Sequence, residues 1–261
     1  MSQIVTAHRA SKIIYDYLKS HKSQGDKKWL LPANICDCVP ETFDTAEVKY
    51  EYADINPYTL CIDQSTVLSQ AKNIAGVLYV HTYGIESTPD LFFRQLKEIN
   101  PNVLIIDDRC LCQPSSVRQS TYSDMELYST GAKKQVNLNG GGYSLINQRI
   151  TEHEATCYSL QDREKWHYDP IVIEQEKQKA TAHRQRLNKI YSTALPTTIQ
   201  LDEQYQNWRF NIIVENKDEI LKALFDAGLF ASNHYKPQTD LSRDCTNTMR
   251  WDNNLFVVYN D

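Results

Sequence analysis

Residues 102–112 read N-V-L-I-I-D-D-R-C-L-C, and this stretch decides the predicted fold. Val103 to Ile106 form a short apolar run that follows Pro101 and ends at two acids. A continuous run of apolar, mostly β-branched residues is typical of a strand buried on both faces of a parallel sheet. Asp107 and Asp108 are therefore expected at the carboxyl end of that strand, which is the edge where ligands bind in open α/β sheets.

A second short strand is predicted at Met125 to Tyr128, and residues with useful chemistry follow it. Ser129 comes first, then a pair of lysines that ends at Lys134, and then the glycine run of residues 140–142. Lys134 follows the acid Asp108 by 26 residues. Pyridoxal phosphate is held by four kinds of group that strand ends can supply: a carboxylate, a hydroxyl, a lysine, and glycines that allow close approach.

Each of these groups has a role in that chemistry. A lysine amine forms a Schiff base with the cofactor aldehyde, and a desolvated lysine beside a cationic ring loses its proton more readily. An acid beside the pyridine nitrogen keeps that nitrogen protonated, so that the ring withdraws electrons. A hydroxyl and nearby backbone N–H groups bind the phosphate.

These motifs resemble those of the DegT/DnrJ/EryC1/StrS sugar aminotransferases, a branch of the fold-type I pyridoxal-phosphate enzymes. The family's Ser-x-x-x-x-Lys motif and the Gly-Gly pair after it correspond to Ser129, Lys134 and residues 140–142, and its strand-terminal acid corresponds to Asp108. The resemblance implies that Lys134 is the Schiff-base lysine, that Asp108 faces the ring nitrogen and that Ser129 contacts the cofactor. The adjacent Lys133 stays open as the alternative lysine.

Three further segments carry the resemblance. A helix is expected over about Thr6 to Ser20 from its apolar spacing, and its opening, H-R-A-S-K, resembles a family helix whose N-terminus binds the cofactor phosphate. This implies cofactor contacts from Ala10 and Ser11, with an ordinary N-terminal helix as the alternative. The segment L-P-A-N-I-C implies a cofactor contact from Cys36, at a position where many members have an aromatic ring that stacks on the cofactor and others have a cysteine. The segment V-H-T-Y-G puts His81 at a strand end, either as a cofactor contact or as a buried structural histidine.

The order of elements predicts an α/β fold. Alternating strands and helices over residues 1–170 indicate a mostly parallel central sheet with helices on both faces, in a large cofactor-binding domain. Residues 171–195 are expected to form a charged connecting helix, and residues 196–261 a small C-terminal α/β domain. In that domain the segment F-A-S-N-H-Y-K-P is expected to face the cleft or to form a surface loop. Its candidates for substrate contact are His234, Tyr235 and Lys236.

Our first hypothesis is an aminotransferase that acts through Lys134 on a keto-sugar linked to a nucleotide, in amino-sugar or surface polysaccharide biosynthesis. The resemblance implies an amino donor such as glutamate. Because fold-type I enzymes usually build each active site between two subunits, we expect a homodimer by analogy. A nucleotide-binding module is disfavoured, since the glycines do not open a G-x-G-x-x-G turn.

The sequence also departs from the family pattern. Leu111 stands where the family usually carries a glutamine or histidine that touches the cofactor, and the family's G-Y-N-x-R-M segment is missing after Gly142. The sequence stops at Asp261, where relatives usually add further helices. These departures favour a second hypothesis, in which a shortened relative keeps the fold but acts as a binding or partner subunit without transferase activity.

Composition limits the other classes of function. A net charge of −5 gives no basic patch of the kind that nucleic-acid-binding proteins show, so no nucleic-acid partner is expected. Seven cysteines without disulfide-framework spacing fit a reducing compartment. The C-x-C pairs Cys36/Cys38 and Cys110/Cys112 are expected to be small thiols rather than metal ligands. Without a signal peptide or a bilayer-length apolar run, we expect a cytoplasmic protein with no membrane partner.

Overall fold

The structure, a computed structural model, describes residues 3–21, 27–147, 150–154, 158, 166–232, 245, 247 and 255–258. The strands are β1 Gln3–Ala7, β2 Lys28–Pro32, β3 Tyr50–Ala53, β4 Ile74–Val80, β5 Leu104–Asp108, β6 Met125–Ser129, β7 Gly142–Ile146, β8 Phe210–Ile213, β9 Ala231–Ser232 and β10 Leu255–Val258. The helices are α1 Ala10–Ser20, α2 Cys38–Ala46, α3 Gln64–Gln70, α4 Asp90–Ile99, α5 Pro170–Ala194 and α6 Lys217–Asp226. Short 3₁₀ helices lie at Ala71–Asn73, Thr82–Gly84, Thr197–Ile199 and Glu203–Tyr205.

A seven-stranded sheet in the order β1-β7-β6-β5-β4-β2-β3 forms the centre of the molecule. The pairs from β6 to β3 are parallel, whereas β7 runs antiparallel to both β6 and β1. The expected mostly parallel α/β sheet is therefore confirmed. Because β4, β5 and β6 are parallel neighbours, their carboxyl ends meet at one edge of the sheet, where the predicted site residues follow.

Helices cover both faces of this sheet, as predicted. On one face, residues of α1 and α2 such as Ile13 and Phe43 pack with Leu78 and Ile106 of the strands. On the other face, residues of α3 and α4 pack with the alternate strand positions, among them Val77, Tyr79 and Ile105. Successive strand residues point to opposite faces, which explains why the central strands read as continuous apolar runs.

The N-terminus differs from the prediction. We expected one helix from about Thr6, but residues 3–7 form strand β1 and α1 begins only at Ala10. The strand exists because it pairs with β7, for example Thr6 with Tyr143 and Ala7 with Gly142. This partner lies far along the chain, so helical periodicity in the following residues gave no sign of it.

The C-terminal region begins with α5, which agrees closely with the connecting helix expected at residues 171–195. Asp169 caps this helix, since its Oδ1 accepts the N–H groups of Ile171 and Val172 at 2.9 and 3.1 Å, and Pro170 occupies the first turn. Beyond it, a small antiparallel sheet in the order β8-β10-β9 packs with α6. The division into a large and a small domain stays a prediction. Among the described residues, no helix combines the length and apolar composition needed to cross a bilayer.

Candidate active site

The two acids that end β5 face opposite sides of the sheet. Asp108 lies in the wall of a cavity of about 450 Å³, whereas Asp107 contacts the buried side chains of His81 and Arg109. The Asp108 carboxylate is 7% exposed, and its Oδ1 accepts the backbone N–H of Cys110 at 2.9 Å. Burial raises the pKa of Asp108 above its ordinary value, against the opposing effects of that hydrogen bond and of Lys134. The cavity therefore has a buried acid in its wall.

Lys134 reaches the same cavity from the loop after β6. Ser129 ends that strand, and a turn follows in which the Lys134 N–H donates to the Gly131 carbonyl at 3.2 Å. Lys133 has a positive φ of 64°, a left-handed backbone conformation inside the turn of residues 131–134. Half-buried Lys134 lines the cavity, while the Lys133 amine lies 5.7 Å from the centre of the Phe230 ring. The geometry thus separates the two adjacent lysines.

The first turn of α1 forms another part of the wall, through Ala10 and Ser11. The N-cap residue is Arg9, and an arginine side chain has no acceptor atom for the N–H groups of the first turn. Helix N-termini commonly carry Ser, Thr, Asp or Asn there, which would satisfy one of those donors. In α1 the backbone N–H groups of the first turn and the positive end of the helix are therefore suited to bind an anion that enters the cavity.

The glycine run closes the cavity against α1. A side chain at Gly142 would meet the backbone of Ala10 within 2.6 Å, so only glycine lets β7 pack against the start of the helix. The Gly141 N–H donates to the His8 carbonyl at 2.7 Å, and the Gly141 φ of 96° is one that other residues rarely adopt. The glycines were predicted to allow close approach at the cofactor site. In the structure they allow close packing against the start of α1 and the residues just before it.

Two cysteines at the start of α2 also line the cavity: Cys36 lies two residues before the helix, and Cys38 is its first residue. The sulfur atoms of Cys36 and Cys38 lie 3.3 Å apart. The hydrogen bond from Cys38 lowers the pKa of the Cys36 thiol to about 6, an effect that burial opposes and the Lys134 charge assists. Cys36 is exposed and lines the cavity, so a thiol with a lowered pKa lies in the cavity wall.

The structure brings most of the predicted site residues to one cavity. Six of them line it: Ala10, Ser11, Cys36, Asp108, Ser129 and Lys134. His81 is placed elsewhere. Its ring is fully buried, with Nδ1 2.8 Å from the Ile85 carbonyl oxygen and Nε2 2.6 Å from Oδ1 of Asp107, which is the structural position that was the alternative to a cofactor contact. The predicted substrate contacts His234, Tyr235 and Lys236 lie outside the described residues.

Several cavity residues were not predicted. His8 and Arg9 line the cavity beside the start of α1, but the helix expected from Thr6 hid their position at a strand-to-helix turn. Cys38 and Cys110 were interpreted only as small buried thiols. The positions of the two C-x-C pairs could have indicated a place in the site. Cys36 and Cys38 follow the carboxyl end of β2, and Cys110 and Cys112 follow that of β5, where α/β sheets bind ligands.

Comparison with known proteins bears on the fold. The sequence matches no protein-family model and no curated protein. Solved structures are similar along 98% of this chain. A DegT DnrJ EryC1 StrS aminotransferase from Brucella abortus has a TM-score of 0.73 at 13% identity, with 80% of that chain covered. The chain has the fold of these aminotransferases.

Two further neighbours have known classes of activity. The sugar aminotransferase CalS13 from Micromonospora echinospora has a TM-score of 0.73 at 14% identity, with 81% of that chain covered. Helicobacter pylori PseC, an aminotransferase involved in the biosynthesis of pseudoaminic acid, has a TM-score of 0.74 at 14% identity, with 80% covered. At these identities the likeness establishes the fold, and the chemistry of this chain has to be argued from its own cavity.

Proposed function

We propose that this protein is a pyridoxal-phosphate-dependent aminotransferase of the DegT/DnrJ/EryC1/StrS family. One observation carries the proposal: Lys134, Asp108 and the N-terminus of α1 line a single cavity. These groups are an amine, a buried acid and an anion-binding helix end. The cavity volume of about 450 Å³ lies within the range of roughly 300–1,000 Å³ typical of small-molecule sites.

The residues present fit the cofactor at its phosphate end. The first turn of α1 offers backbone N–H groups at Ala10 and Ser11, and the basic side chains of His8 and Arg9 line the same region. Ser129 contributes a hydroxyl from the end of β6. These groups would hold the phosphate, and the Arg9 guanidinium would supply local positive charge in a protein whose net charge is −5.

The residues present also fit the ring and aldehyde ends. When bound, pyridoxal phosphate supplies an aldehyde that condenses with amines and a protonated pyridine ring that withdraws electrons. The Lys134 amine would hold the aldehyde end covalently, and Asp108 would hold the proton on the ring nitrogen, whose charge in turn favours the ionised carboxylate. Released as a free amine, Lys134 would remove the proton from Cα of the amino donor.

The finer assignments rest on the family resemblance and on the neighbours. A keto-sugar, linked to a nucleotide, is the proposed amino acceptor, and an amino acid such as glutamate is the proposed donor. Two neighbours, a sugar aminotransferase and an aminotransferase of pseudoaminic acid biosynthesis, support an amino-sugar or surface polysaccharide pathway. A homodimer in the cytoplasm completes the proposal by analogy with fold-type I enzymes.

Reductive trapping tests the central claim. The protein is incubated with pyridoxal phosphate, reduced with borohydride and digested, and the modified lysine is located by mass spectrometry. We expect the label on Lys134, its loss in Lys134→Ala and its retention in the matched control Lys133→Ala. A Lys134→Ala protein that keeps the borohydride-stable label at full yield contradicts the proposal.

A second candidate function is favoured by Leu111. This side chain is apolar, 4% exposed and in the cavity wall, where family members usually supply a polar contact to the cofactor. The chain would then bind the cofactor but act as a binding or partner subunit without transferase activity. Amino transfer from glutamate to any member of a panel of nucleotide-linked keto-sugars rules this candidate out, whereas labelling of Lys134 without transfer to any of them supports it.

A further inference from the structure

Arg184 is a buried arginine on a helix that is otherwise largely exposed. It lies in the second half of α5 and is 9% exposed, whereas its neighbours Gln185 and Arg186 are exposed. Burying a guanidinium group is unfavourable unless hydrogen-bond acceptors replace its water shell. The position of Arg184 therefore has to be explained by what it contacts.

The contacts of Arg184 are backbone carbonyls of the lysine loop, residues 131–137. Its Nη1 donates to the Gln135 carbonyl at 2.6 Å, and its Nη2 donates to the Lys134 carbonyl at 3.1 Å. Nη1 also lies 3.3 Å from the side-chain oxygen of Gln135. A planar guanidinium can bond two neighbouring acceptors at once, which fixes orientation as well as distance.

A second side chain from the same part of the chain reaches the preceding carbonyl. Trp208 is 3% exposed, and its Nε1–H donates to the Lys133 carbonyl at 2.8 Å. Three successive carbonyls, at residues 133, 134 and 135, thus accept hydrogen bonds from side chains more than 40 residues further along the chain.

The lysine loop needs such support. Residues 131–137 form turns and bends rather than a helix or strand. Lys133 adopts a left-handed φ of 64°, which is unfavourable for a residue with a side chain and persists only where the surroundings hold it. That residue determines which way the next side chain points. The carbonyls of Lys133 and Lys134 lie on the two sides of the Lys134 Cα atom, so holding both of them sets the direction of the Lys134 amine.

We propose that Arg184 is a positioning residue that directs the Lys134 amine into the cavity, with Trp208 as its partner. This inference rests on the proposed function of Lys134. It makes α5 and the segment after it part of the site, although their side chains do not contact the reacting atoms. The expected effect of losing Arg184 is a loop in which either lysine reaches the cofactor.

The experiment measures how fast, and where, pyridoxal phosphate itself is captured. Full-length wild type and the Arg184→Met and Arg184→Lys variants are mixed with excess pyridoxal phosphate, quenched with borohydride at successive times and mapped by mass spectrometry. Arg186→Met is the matched control, because Arg186 is exposed two positions further along the same helix. Circular dichroism of each protein without cofactor verifies folding.

We expect capture at Lys134 to slow by about 100-fold in Arg184→Met, the size of effect that a small misplacement of a reacting group produces. We also expect label to appear on Lys133. Arg184→Lys, which supplies a point charge without the planar fork, is expected to restore part of the rate. Arg186→Met is expected to match wild type in both rate and labelled residue.

Two results overturn the inference and are distinguishable from each other. If wild type is labelled at Lys134 and folded Arg184→Met behaves as Arg186→Met does, Arg184 has no positioning role while the proposed function stands. If wild type is not labelled at Lys134, the proposed function and this inference both fail. Should Arg184→Met not fold, Trp208→Phe decides, because it removes the hydrogen bond to Lys133 and keeps a ring in place. An unchanged capture rate and unchanged labelling in Trp208→Phe then overturn the inference.

Discussion

The Nε2 atom of His81 lies 2.6 Å from Oδ1 of Asp107, and both side chains are fully buried. The other carboxylate oxygen of Asp107 accepts the Nε–H of Arg109 at 2.7 Å. Both carboxylate oxygens of Asp107 therefore have partners on one face of the sheet. The next residue, Asp108, faces the cavity on the other side. Adjacent acids on one strand therefore hold opposite positions, because successive side chains of a strand alternate between faces.

Asp107→Asn is expected to destabilise the fold. Removing one partner of a buried charge network leaves the others without compensation and costs about 3–5 kcal/mol. Urea unfolding measures this, with Asp226→Asn as the control, because Asp226 pairs with Lys222 at the exposed surface, where an ion pair contributes about 0–1 kcal/mol. Equal losses in the two variants contradict the prediction.

The same network predicts how stability depends on pH. Burial alone would raise the pKa of Asp107, but His81 and Arg109 outweigh it and hold the pKa below its ordinary value. A carboxyl group with a lowered pKa in the folded state stabilises the protein above its unfolded pKa of about 3.9, and this contribution is lost as the pH falls through the folded value. Wild type should therefore lose more stability than Asp107→Asn when urea unfolding is repeated at decreasing acidic pH. Parallel losses in the two proteins argue against this role.

Asp108→Asn is expected to affect activity and leave the fold intact. Burial already raises the pKa of this acid, so a neutral amide of the same shape costs the folded state little. Loss of one electrostatic group that stabilises the reacting centre typically lowers kcat by roughly 100- to 1,000-fold. Amino-transfer assays and urea unfolding, run side by side, separate the two effects. A variant with full activity removes Asp108 from the proposed chemistry.

The thiol of Cys36 is expected to react at unusually low pH. Because the thiolate is the reactive form and the Cys38 hydrogen bond lowers the pKa of Cys36 to about 6, its alkylation rate should rise through that pH. Cys38→Ala should move the midpoint towards that of an ordinary thiol, whereas Cys38→Ser keeps an O–H donor and should move it less. Iodoacetamide labelling followed by mass spectrometry gives the profile. A midpoint unchanged in Cys38→Ala shows that the neighbouring thiol is not the cause.

Gly141→Ala is expected to cost more stability than Gly228→Ala. Both glycines have positive φ values, 96° and 73°, so a side chain is strained at each, by about 1–2 kcal/mol. A Cβ at Gly228 meets nothing within 4 Å, whereas one at Gly141 overlaps the Trp166 ring. Overpacking adds about 1–3 kcal/mol at Gly141. Thermal and urea unfolding of both variants compare the two costs, and a smaller loss at Gly141 is the contrary result.

The sequence predicted the parts of the site that are encoded locally. The apolar run before Asp108 indicated a buried strand, and β5 ends at that residue. The resemblance of the Ser129 to Lys134 segment to a family motif implied that both residues contact the cofactor, and both residues line the cavity. The strand was indicated by apolar periodicity and the motif by the resemblance, and each needed only the residues within one strand and its connection.

His81 and Arg184 show what the sequence by itself did not determine. The partner of His81, Asp107, is 26 residues away, and the carbonyls that Arg184 contacts are 49 and 50 residues away. Nothing near His81 in the sequence distinguishes a cofactor contact from a structural ion pair. Nothing near Arg184 distinguishes a side chain on a solvated helix face from one that holds the lysine loop. The same is true of β1, which is a strand because β7 lies beside it.

The chain sequence therefore determined which residues end the central strands, and with them the amine and the acid of the cavity. Only the tertiary structure decided which of the polar groups around them form hydrogen bonds or ion pairs with one another. The reason is physical: strand and helix formation follow from patterns over a few residues, whereas the free energy of a buried charge depends on partners that the fold brings together from distant segments.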